Sequence, residues 1–431
     1  MKKIKIALLG LGNVGRGVWK IINENSEEIR KRSGYNVEIA KVLVRDKNKA
    51  RGVDVPEELL TTDYNDILND DEIKIVVELM GGITPAKEYM LQAMRKNKHV
   101  VTANKMVLAT EGDELFETAD KQGVMFYYEA SVAGGVPIIQ GVNESLAANK
   151  IEQLYGIING TTNYILTKME LDGMDFKDAL KEAQEKGYAE ADPTSDIEGY
   201  DAAYKLGILA SLAFGAKVDF NKIYREGITK INSTDISFAK ELGYVIKLLA
   251  IAKDEGNELE LRVHPTLIPK THPLANVYDS FNAIFIKGNA VGDLMYYGRG
   301  AGDLPTGSAV VADILSILRN EGNLENYSAV KNNLWKREIK PVSKINRRYY
   351  LRITVKDKPG VLGEITTIFG NHNVSMKSII QRGRENESAT LVIVTHHANE
   401  GDLMNALEKI KELDVLESVD NILRIENFNS N

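Results

Sequence analysis

Residues 3–9, "KIKIALL", read as a strand; "GLGNVGRG" follows directly and opens the helical "VWKIINENSEEIRKR". Gly10, Gly12 and Gly15 permit a tight turn and close backbone approach, and the helix start behind them can receive a pyrophosphate. In isolation Gly-x-Gly-x-x-Gly is a weak signal, since an ordinary glycine turn has the same letters. Here it lies between a strand and a helix, inside a βαβ unit of the right length. Strand-like "VEIAKVLV" (37–44), "IKIVVELM" (73–80) and "HVVTAN" (99–104) follow, with helical "PAKEYMLQAMRKN" before the last. Strands alternating with helices predict a parallel, doubly wound sheet, and so an α/β dinucleotide-binding domain over 1–130.

The residues after the second strand should choose the cofactor. An acid there favours NAD through the ribose 2′-hydroxyl, whereas Arg accommodates the 2′-phosphate of NADP. Arg45 is followed by Asp46, Lys47, Lys49 and Arg51. The basic cluster leans to NADP. Asp46 leaves NAD open, and a solvated charge run is a third reading.

Composition removes several chemistries. The chain has no cysteine, so a disulfide, a thiolate zinc site and a cysteine nucleophile are excluded, as are aldehyde dehydrogenases with a thioacyl intermediate. None of the six histidines forms H-E-x-x-H, and all are read as structural. A net charge of −7 with no basic run argues against a nucleic-acid partner. No apolar stretch reaches about 18 residues, so no membrane span is expected. The glycines break the N-terminal apolar run early; it is read as a strand rather than a signal peptide, and a cytoplasmic location is expected.

At 431 residues more than one domain is expected. "VMFYYEASVAGGVPIIQGVNESL" and "IEQLYGIINGTTNYI" look like the exit into a covering sheet, with further strands at 261–268 and 282–287. This gives an α+β catalytic and dimerisation domain over 131–300. "GRGAGDLPTGSAVVADILSIL" reads as a Gly-rich turn and a helix returning to the first domain over 300–330, either as a second phosphate loop or as an ordinary turn. A polar linker is expected over 331–348. Residues 349–431 then read β-α-β-β-α-β, a ferredoxin-like unit.

"ADPTSDIEGYDAAYKLGILASLAFG" (191–215) places Lys205 in an apolar helix, one turn after Asp201. The side chain either snorkels to water and pairs with Asp201 or sits in a dry place where it can work as an acid or base. Asp201 itself is either a ligand or an acid favoured by the helix dipole. Asp192, Asp196 and Glu198 are read as loop or capping residues.

With "GLGNVGRG", "VTANK", "EASVAGGVPII", "NGTTNYIL", "GYAEADPTSDIEGYDAAYKL", "GRGAG" and "DKPGVLG" in one order, the chain resembles homoserine dehydrogenases of the long form with a C-terminal ACT domain. The resemblance covers essentially the whole chain. It implies a Rossmann domain and the interconversion of L-homoserine and L-aspartate 4-semialdehyde, in threonine, methionine and isoleucine synthesis. It implies Lys205 as the acid/base, Lys105 at the nicotinamide, and Gly187, Glu190 and Asp201 around the substrate. Gly10, Gly12, Asn13, Val14, Gly15, Arg45, Lys105 and Gly302 would meet the cofactor, NADP or NAD. Backbone carbonyls of Glu129, Val132, Gly134 and Val136 would hold a sodium ion. A homodimer or homotetramer is expected, with no fused kinase domain.

The substrate's chemistry agrees. Acids suit an α-ammonium; lysines and backbone amides suit a carboxylate. Oxidising a hydroxyl requires one hydride to leave and one proton to be removed, and lysine is the remaining base. In the tail, Pro359 and Gly360 at a helix start and Asn373 before the next strand suit a free amino acid, with L-threonine the expected effector. A dimerisation module without ligand is the other reading. Two competitors stay open for the whole chain: another ACT-bearing dehydrogenase, and a sensor of NADP and an amino acid that does no chemistry. The first normally uses a histidine, which the central region lacks at a matching place.

Overall fold

Strand Ile73–Glu78 is buried except at Lys74, as a strand covered on both faces requires. It lies in a six-stranded sheet in the order Leu60–Thr61, Tyr35–Leu43, Lys2–Leu9, Ile73–Glu78, His99–Thr102, Phe126–Tyr127, and every pairing is parallel. The strand order reverses between Lys2–Leu9 and Ile73–Glu78, where doubly wound sheets open a ligand crevice at their carboxyl ends. This computed structural model describes residues 2–320, 335–383 and 387–428. The chain forms two units. One comprises 1–152, 204–221 and 282–337, and the other 153–203, 222–281 and 338–431.

In the first unit, helix Asp303–Asn320 joins the core of the parallel sheet. Its Val310, Ile314 and Ile317 are buried with Leu8, Val18, Val42 and Val77. It lies against helix Asn13–Glu24 at two glycines: a Cβ on Gly17 would fall 1.8 Å from the Asp303 carbonyl oxygen, and one on Gly307 would fall 2.8 Å from the Gly17 carbonyl carbon. Residues 321–330 of the expected returning segment lie outside the described residues.

In the second unit the strands run in the order Ile151–Ile157, Tyr244–Asp254, Glu258–Pro269, Leu416–Ile425, Asn346–Lys356, Ser388–Thr395, Met376–Gly383. The last four, with helices Val361–Asn371 and Glu400–Lys411, form the expected β-α-β-β-α-β module. Its core includes Leu351, Ile353, Ile365, Phe369, Ile393 and Leu403. Strand Leu416–Ile425 pairs antiparallel with Asn346–Lys356 and, at Arg424 and Ile425, parallel with Thr266 and Leu267. The tail's sheet therefore continues the central one. Of the expected linker, 331–334 lie outside the described residues; Glu338–Ile339 pairs with Glu258 and Leu259. Among the described residues no helix is long and apolar enough to cross a membrane.

Candidate functional site

The nucleotide loop is built from three differently used glycines. Gly10 has φ +105°, and a Cβ there would meet the Leu79 carbonyl oxygen at 2.9 Å. A Cβ on Gly15 would meet the Gly10 oxygen at 2.5 Å. Beside Gly12 there is open space to 4 Å, the room a pyrophosphate needs. Asn13 and Val14 begin the helix. Arg16 donates to Asn13 Oδ1 and to the Arg51 carbonyl, both at 3.2 Å, so a guanidinium the motif does not include ties the loop to the basic segment. Arg45 is exposed just beyond strand Tyr35–Leu43.

At the carboxyl ends of the neighbouring strands lies a group the sequence did not reveal. Glu78 is fully buried. Its Oε1 accepts from Met80 N at 2.7 Å, and its Oε2 from Thr102 Oγ1 at 2.6 Å. Burial raises its carboxyl above the usual range. Asn104 donates to the Gly82 carbonyl at 2.7 Å and caps helix Lys105–Gln122 through Val107 N. Lys105, half-buried, is that helix's first residue. The strand-end bonds therefore set the lysine's backbone beside the crevice.

The turn at 129–136 is buried except at Gly135, although much of it lies outside helix and strand. Ala133 and Gly134 both take left-handed φ, +56° and +57°. Gly134 packs so closely on Gly300 that a Cβ would fall 2.4 Å from its carbonyl oxygen. The Glu129 carboxylate accepts from the amides of Ile139 (2.8 Å) and Gln140 (2.7 Å), while the Glu129 amide donates to Asp313 at 2.8 Å. Burial pushes the Glu129 carboxyl up to about 7 despite those amides, and Asp313 well above the carboxylate range. Of the turn's carbonyls, that of Glu129 accepts from Val132 N at 3.4 Å and that of Val136 from Ile138 N at 2.8 Å. The carbonyls of Glu129, Val132, Gly134 and Val136 are neutral, hard oxygens, the donor type an alkali cation takes. Among the described residues no group of three or more His, Cys, Asp or Glu could hold a metal. Gly302, with φ +124°, immediately precedes helix Asp303–Asn320.

Helix Tyr200–Phe214 carries Asp201 and Lys205 one turn apart. Asp201 is buried and Lys205 half-buried. Asp201 Oδ2 accepts from Asn159 Nδ2 at 2.8 Å, and the same nitrogen donates to Asp196 Oδ1 at 2.6 Å. Asp196, a first-turn acid of helix Thr194–Ile197, is thus brought to Asp201, and only the fold shows that one amide serves both. Asp192, in the loop before helix Thr194–Ile197, accepts from Thr194 N at 3.1 Å and from Thr194 Oγ1 at 2.6 Å. Glu190 is exposed, its carbonyl accepting from Gln184 at 3.1 Å. Gly187 has φ +76° and its amide bonds to the Gln184 carbonyl.

In the tail a cavity of about 370 Å³ is lined by Lys356, Asp357, Lys358, Pro359, Gly360 and Gln381, among others. Gly360, at φ +94°, starts helix Val361–Asn371. Asn373 lies past the opposite end of that helix, at φ +58°, so one chain does not bring it to the cavity that holds Pro359 and Gly360.

A glycine loop on a parallel sheet, a lysine on an acid-flanked helix and a ferredoxin-like tail with a pocket at a helix start define a nicotinamide-dependent dehydrogenase with an appended ACT-type module. Family models agree along the chain: "Homoserine dehydrogenase, NAD binding domain" matches residues 10–129, "Homoserine dehydrogenase" 137–315, and "ACT domain" 349–415. The homoserine dehydrogenase of Bacillus subtilis is 44% identical over 429 residues, 99% of each chain. The crystal structure of a homoserine dehydrogenase from Thiobacillus denitrificans superposes with a TM-score of 0.93 at 44% identity, covering 100% of this chain and 99% of that one. A hyperthermophilic archaeal homoserine dehydrogenase in complex with NADPH gives 0.62 at 26% identity, covering 73% of this chain and 97% of that one. The chain belongs to the homoserine dehydrogenase family, oxidoreductases acting on a CH–OH group.

Proposed function

We propose that Lys205 is the acid and base by which this chain interconverts L-homoserine and L-aspartate 4-semialdehyde, with NADP(H) the preferred cofactor. The observation that carries the reading is a half-buried lysine one turn from a buried aspartate whose carboxylate is already held by an amide. Asp201 is then committed to position rather than to proton transfer. In oxidation, Lys205 Nζ takes the hydroxyl proton; in reduction, its ammonium returns one to the carbonyl oxygen. A positioned base of this kind contributes roughly 10²–10⁴-fold in rate. Lys105 orients the reacting oxygen, Asp201 and Glu190 receive the α-ammonium, and the backbone at Gly187 borders the substrate. When bound, the nicotinamide accepts or supplies the hydride. Gly10, Gly12, Asn13, Val14, Gly15 and Gly302 border the cofactor, with Arg45 on the 2′-phosphate. The backbone carbonyls of Glu129, Val132, Gly134 and Val136 would hold a sodium ion, which would help to order the turn. The test is a nicotinamide absorbance assay with homoserine. Lys205→Ala is expected to lose most turnover while cofactor titration stays normal. Near-normal kcat in that variant would remove Lys205 from the chemistry.

The tail is read as the receiver of an amino-acid effector, L-threonine, with the chain working as a homodimer or homotetramer in the cytoplasm. The cavity at Pro359 and Gly360 supports this, since a helix start suits a carboxylate. Threonine titrated into the full chain should lower activity and release heat in calorimetry, and Gln381→Leu should weaken both effects. No heat and no inhibition would leave the tail as an assembly module.

A further inference from the structure

Helix Tyr200–Phe214, which carries Lys205, starts directly after Gly199, whose φ of +80° turns the chain out of helix Thr194–Ile197. Residues 226–228 lie along this turn, backbone against backbone. Ile228 N donates to the Ile197 carbonyl at 2.8 Å. A Cβ on Gly227 would fall 2.3 Å from that oxygen and 2.7 Å from Glu198 Cα, and one on Gly199 would fall 3.3 Å from the Glu226 carbonyl oxygen. Arg225 closes the contact. Its Nη1 donates to the Glu198 carbonyl at 3.2 Å, and its guanidinium lies 3.3 Å from the centre of the Tyr200 ring. One planar cation thus holds the residues on both sides of Gly199, by a charge-assisted bond and by the aromatic face, and both are directional.

Arg225 is itself held from the tail. Its strand, Tyr224–Arg225, pairs with Arg262 and Val263, and successive side chains of an extended chain point to opposite sides. Arg225 faces the helix start; Tyr224 and Glu226 face Arg424, buried in strand Leu416–Ile425. Arg424 donates to the Tyr224 hydroxyl at 2.9 Å, lies 2.7 Å from Glu226 Oε2, and is held in turn by Glu400, which accepts from its Nε at 3.1 Å. Both neighbours of Arg225 are therefore tied to a single guanidinium of the tail.

We infer that Arg225 is a positioning residue, which sets the start of the helix that carries Lys205 against a strand anchored by Arg424 of the tail. This rests on the reading of Lys205 as the acid and base. Lys205 is five residues beyond Tyr200, about 7.5 Å along the helix, so a shift at the helix start is carried to it by a rigid element. Arg225 acts on proton transfer through Lys205 and leaves the cofactor alone.

The test is a double-mutant cycle on kcat for homoserine oxidation, with Arg225→Ala and Lys205→Ala made singly and together. Arg225→Ala should lower kcat roughly 10- to 100-fold, the scale of a misplaced catalytic group. The KM for NADP(H) should hold and the thermal midpoint should move by only a few degrees. Arg225→Lys, which keeps a cation and a donor, should recover part of the loss. In the Lys205→Ala background, Arg225→Ala should change kcat little, because the group it positions is gone. A defect that merely removes active molecules would cut kcat by the same factor in both backgrounds; that result overturns the proposal, as does a parent-like Arg225→Ala. Tyr224→Phe removes only the hydroxyl shared with Arg424 and should lower kcat in the same Lys205-dependent way; a parent-like Tyr224→Phe would overturn the tail's part. Near-normal kcat in Lys205→Ala would sink the reading of Lys205 and the proposal with it, whereas a dead Lys205→Ala beside a parent-like Arg225→Ala sinks the proposal alone.

Discussion

Arg45 and Arg51 carry the same charge six residues apart and are used differently. The Arg51 guanidinium donates to the carbonyls of Asp46, Lys47 (3.2 Å) and Lys49 (2.6 Å), closing its own loop. Asp46 is also occupied, accepting from Asn48 N at 2.9 Å. Arg45 stands exposed where a 2′-phosphate would be read. Arg45→Ala is expected to raise the KM for NADP roughly 10-fold or more and to leave NAD nearly unchanged, since a charge-assisted bond is worth about 1.5–3 kcal/mol. Arg51→Ala should weaken both cofactors alike by loosening the loop. Steady-state KM values for the two cofactors decide this, and equal losses in Arg45→Ala would detach it from the phosphate. At this scale the sequence was partly legible. The glycine motif and Lys205 stood out because each violates its surroundings, three glycines between strand and helix and a lysine in an apolar run. Asp196, Asn159 and Glu78 did not. An acid in an acid-rich loop, a helix-capping Asn and the last residue of a strand are ordinary in sequence; only the fold shows Asn159 donating to Asp196 and Asp201, and Glu78 accepting from Thr102.

The glycines of the nucleotide loop and its helix separate stability from binding at the level of the element. Gly17 is where helix Asn13–Glu24 meets the start of helix Asp303–Asn320, backbone against backbone. No side chain can swing aside there, so the methyl of Gly17→Ala must push the helices apart. Overpacking of this kind costs about 1–3 kcal/mol, and the displaced helix begins directly after Gly302. Gly17→Ala is expected to lower the denaturant midpoint and to weaken the cofactor as well. Gly12→Ala meets nothing within 4 Å, so it should unfold like the parent and lose cofactor affinity alone. Denaturant titration beside cofactor fluorescence separates the two; a destabilised Gly12→Ala would contradict the open space. The elements themselves were legible wherever the period was clean. Alternating strands and helices gave away the parallel sheet, and β-α-β-β-α-β the tail. Helix Lys105–Gln122 was not anticipated, since Gly112 and scattered charges blur its face. Nor was the pairing of Leu416–Ile425 with Glu258–Pro269, because a strand's sequence does not name a partner some 150 residues away.

Across the second unit, the tail is bound to the central sheet by buried charge. Arg262, fully buried, donates to Glu260 at 2.9 Å and to Glu426 at 2.7 Å. Lys253 reaches Glu426 at 2.5 Å, and Arg347 holds both Glu260 oxygens at 2.9 Å. Arg347 and Glu426 belong to the tail, so a chain cut after Lys344 would leave Lys253 and Arg262 with Glu260 alone. Such a truncation should fail to fold rather than merely lose effector sensitivity. Glu426→Gln in the full chain should cost about 3–5 kcal/mol by denaturant titration, the usual result of breaking a buried pair. The same cluster sets a pH dependence. Burial, with Arg262 and Arg424 close by, holds His264 well below its ordinary value. Its Nε2 faces the Arg262 guanidinium, so the proton of the neutral ring sits on Nδ1, 3.0 Å from the Pro265 carbonyl. The unfolded chain therefore binds a proton at this ring that the folded chain refuses. The contribution is complete above about pH 6.5 and is lost as pH falls below it, by roughly 1.4 kcal/mol per pH unit. Burial alone would raise the carboxyls, yet Arg262, Lys253 and Arg347 hold both Glu260 and Glu426 below the carboxylate range. Their contribution is intact above about pH 4.3 and is lost only as pH falls further. Glu78, Glu129 and Asp313, whose carboxyls burial raises, act with the opposite sign over the upper range, because the folded chain takes up those protons before the unfolded one. The His264 contribution is therefore read as the difference in stability between the parent and His264→Gln, which keeps an acceptor for Arg262 but cannot titrate: below about pH 6.5 the parent should lose roughly 1.4 kcal/mol per pH unit relative to the variant. A difference that stays constant with pH would place that titration on another group.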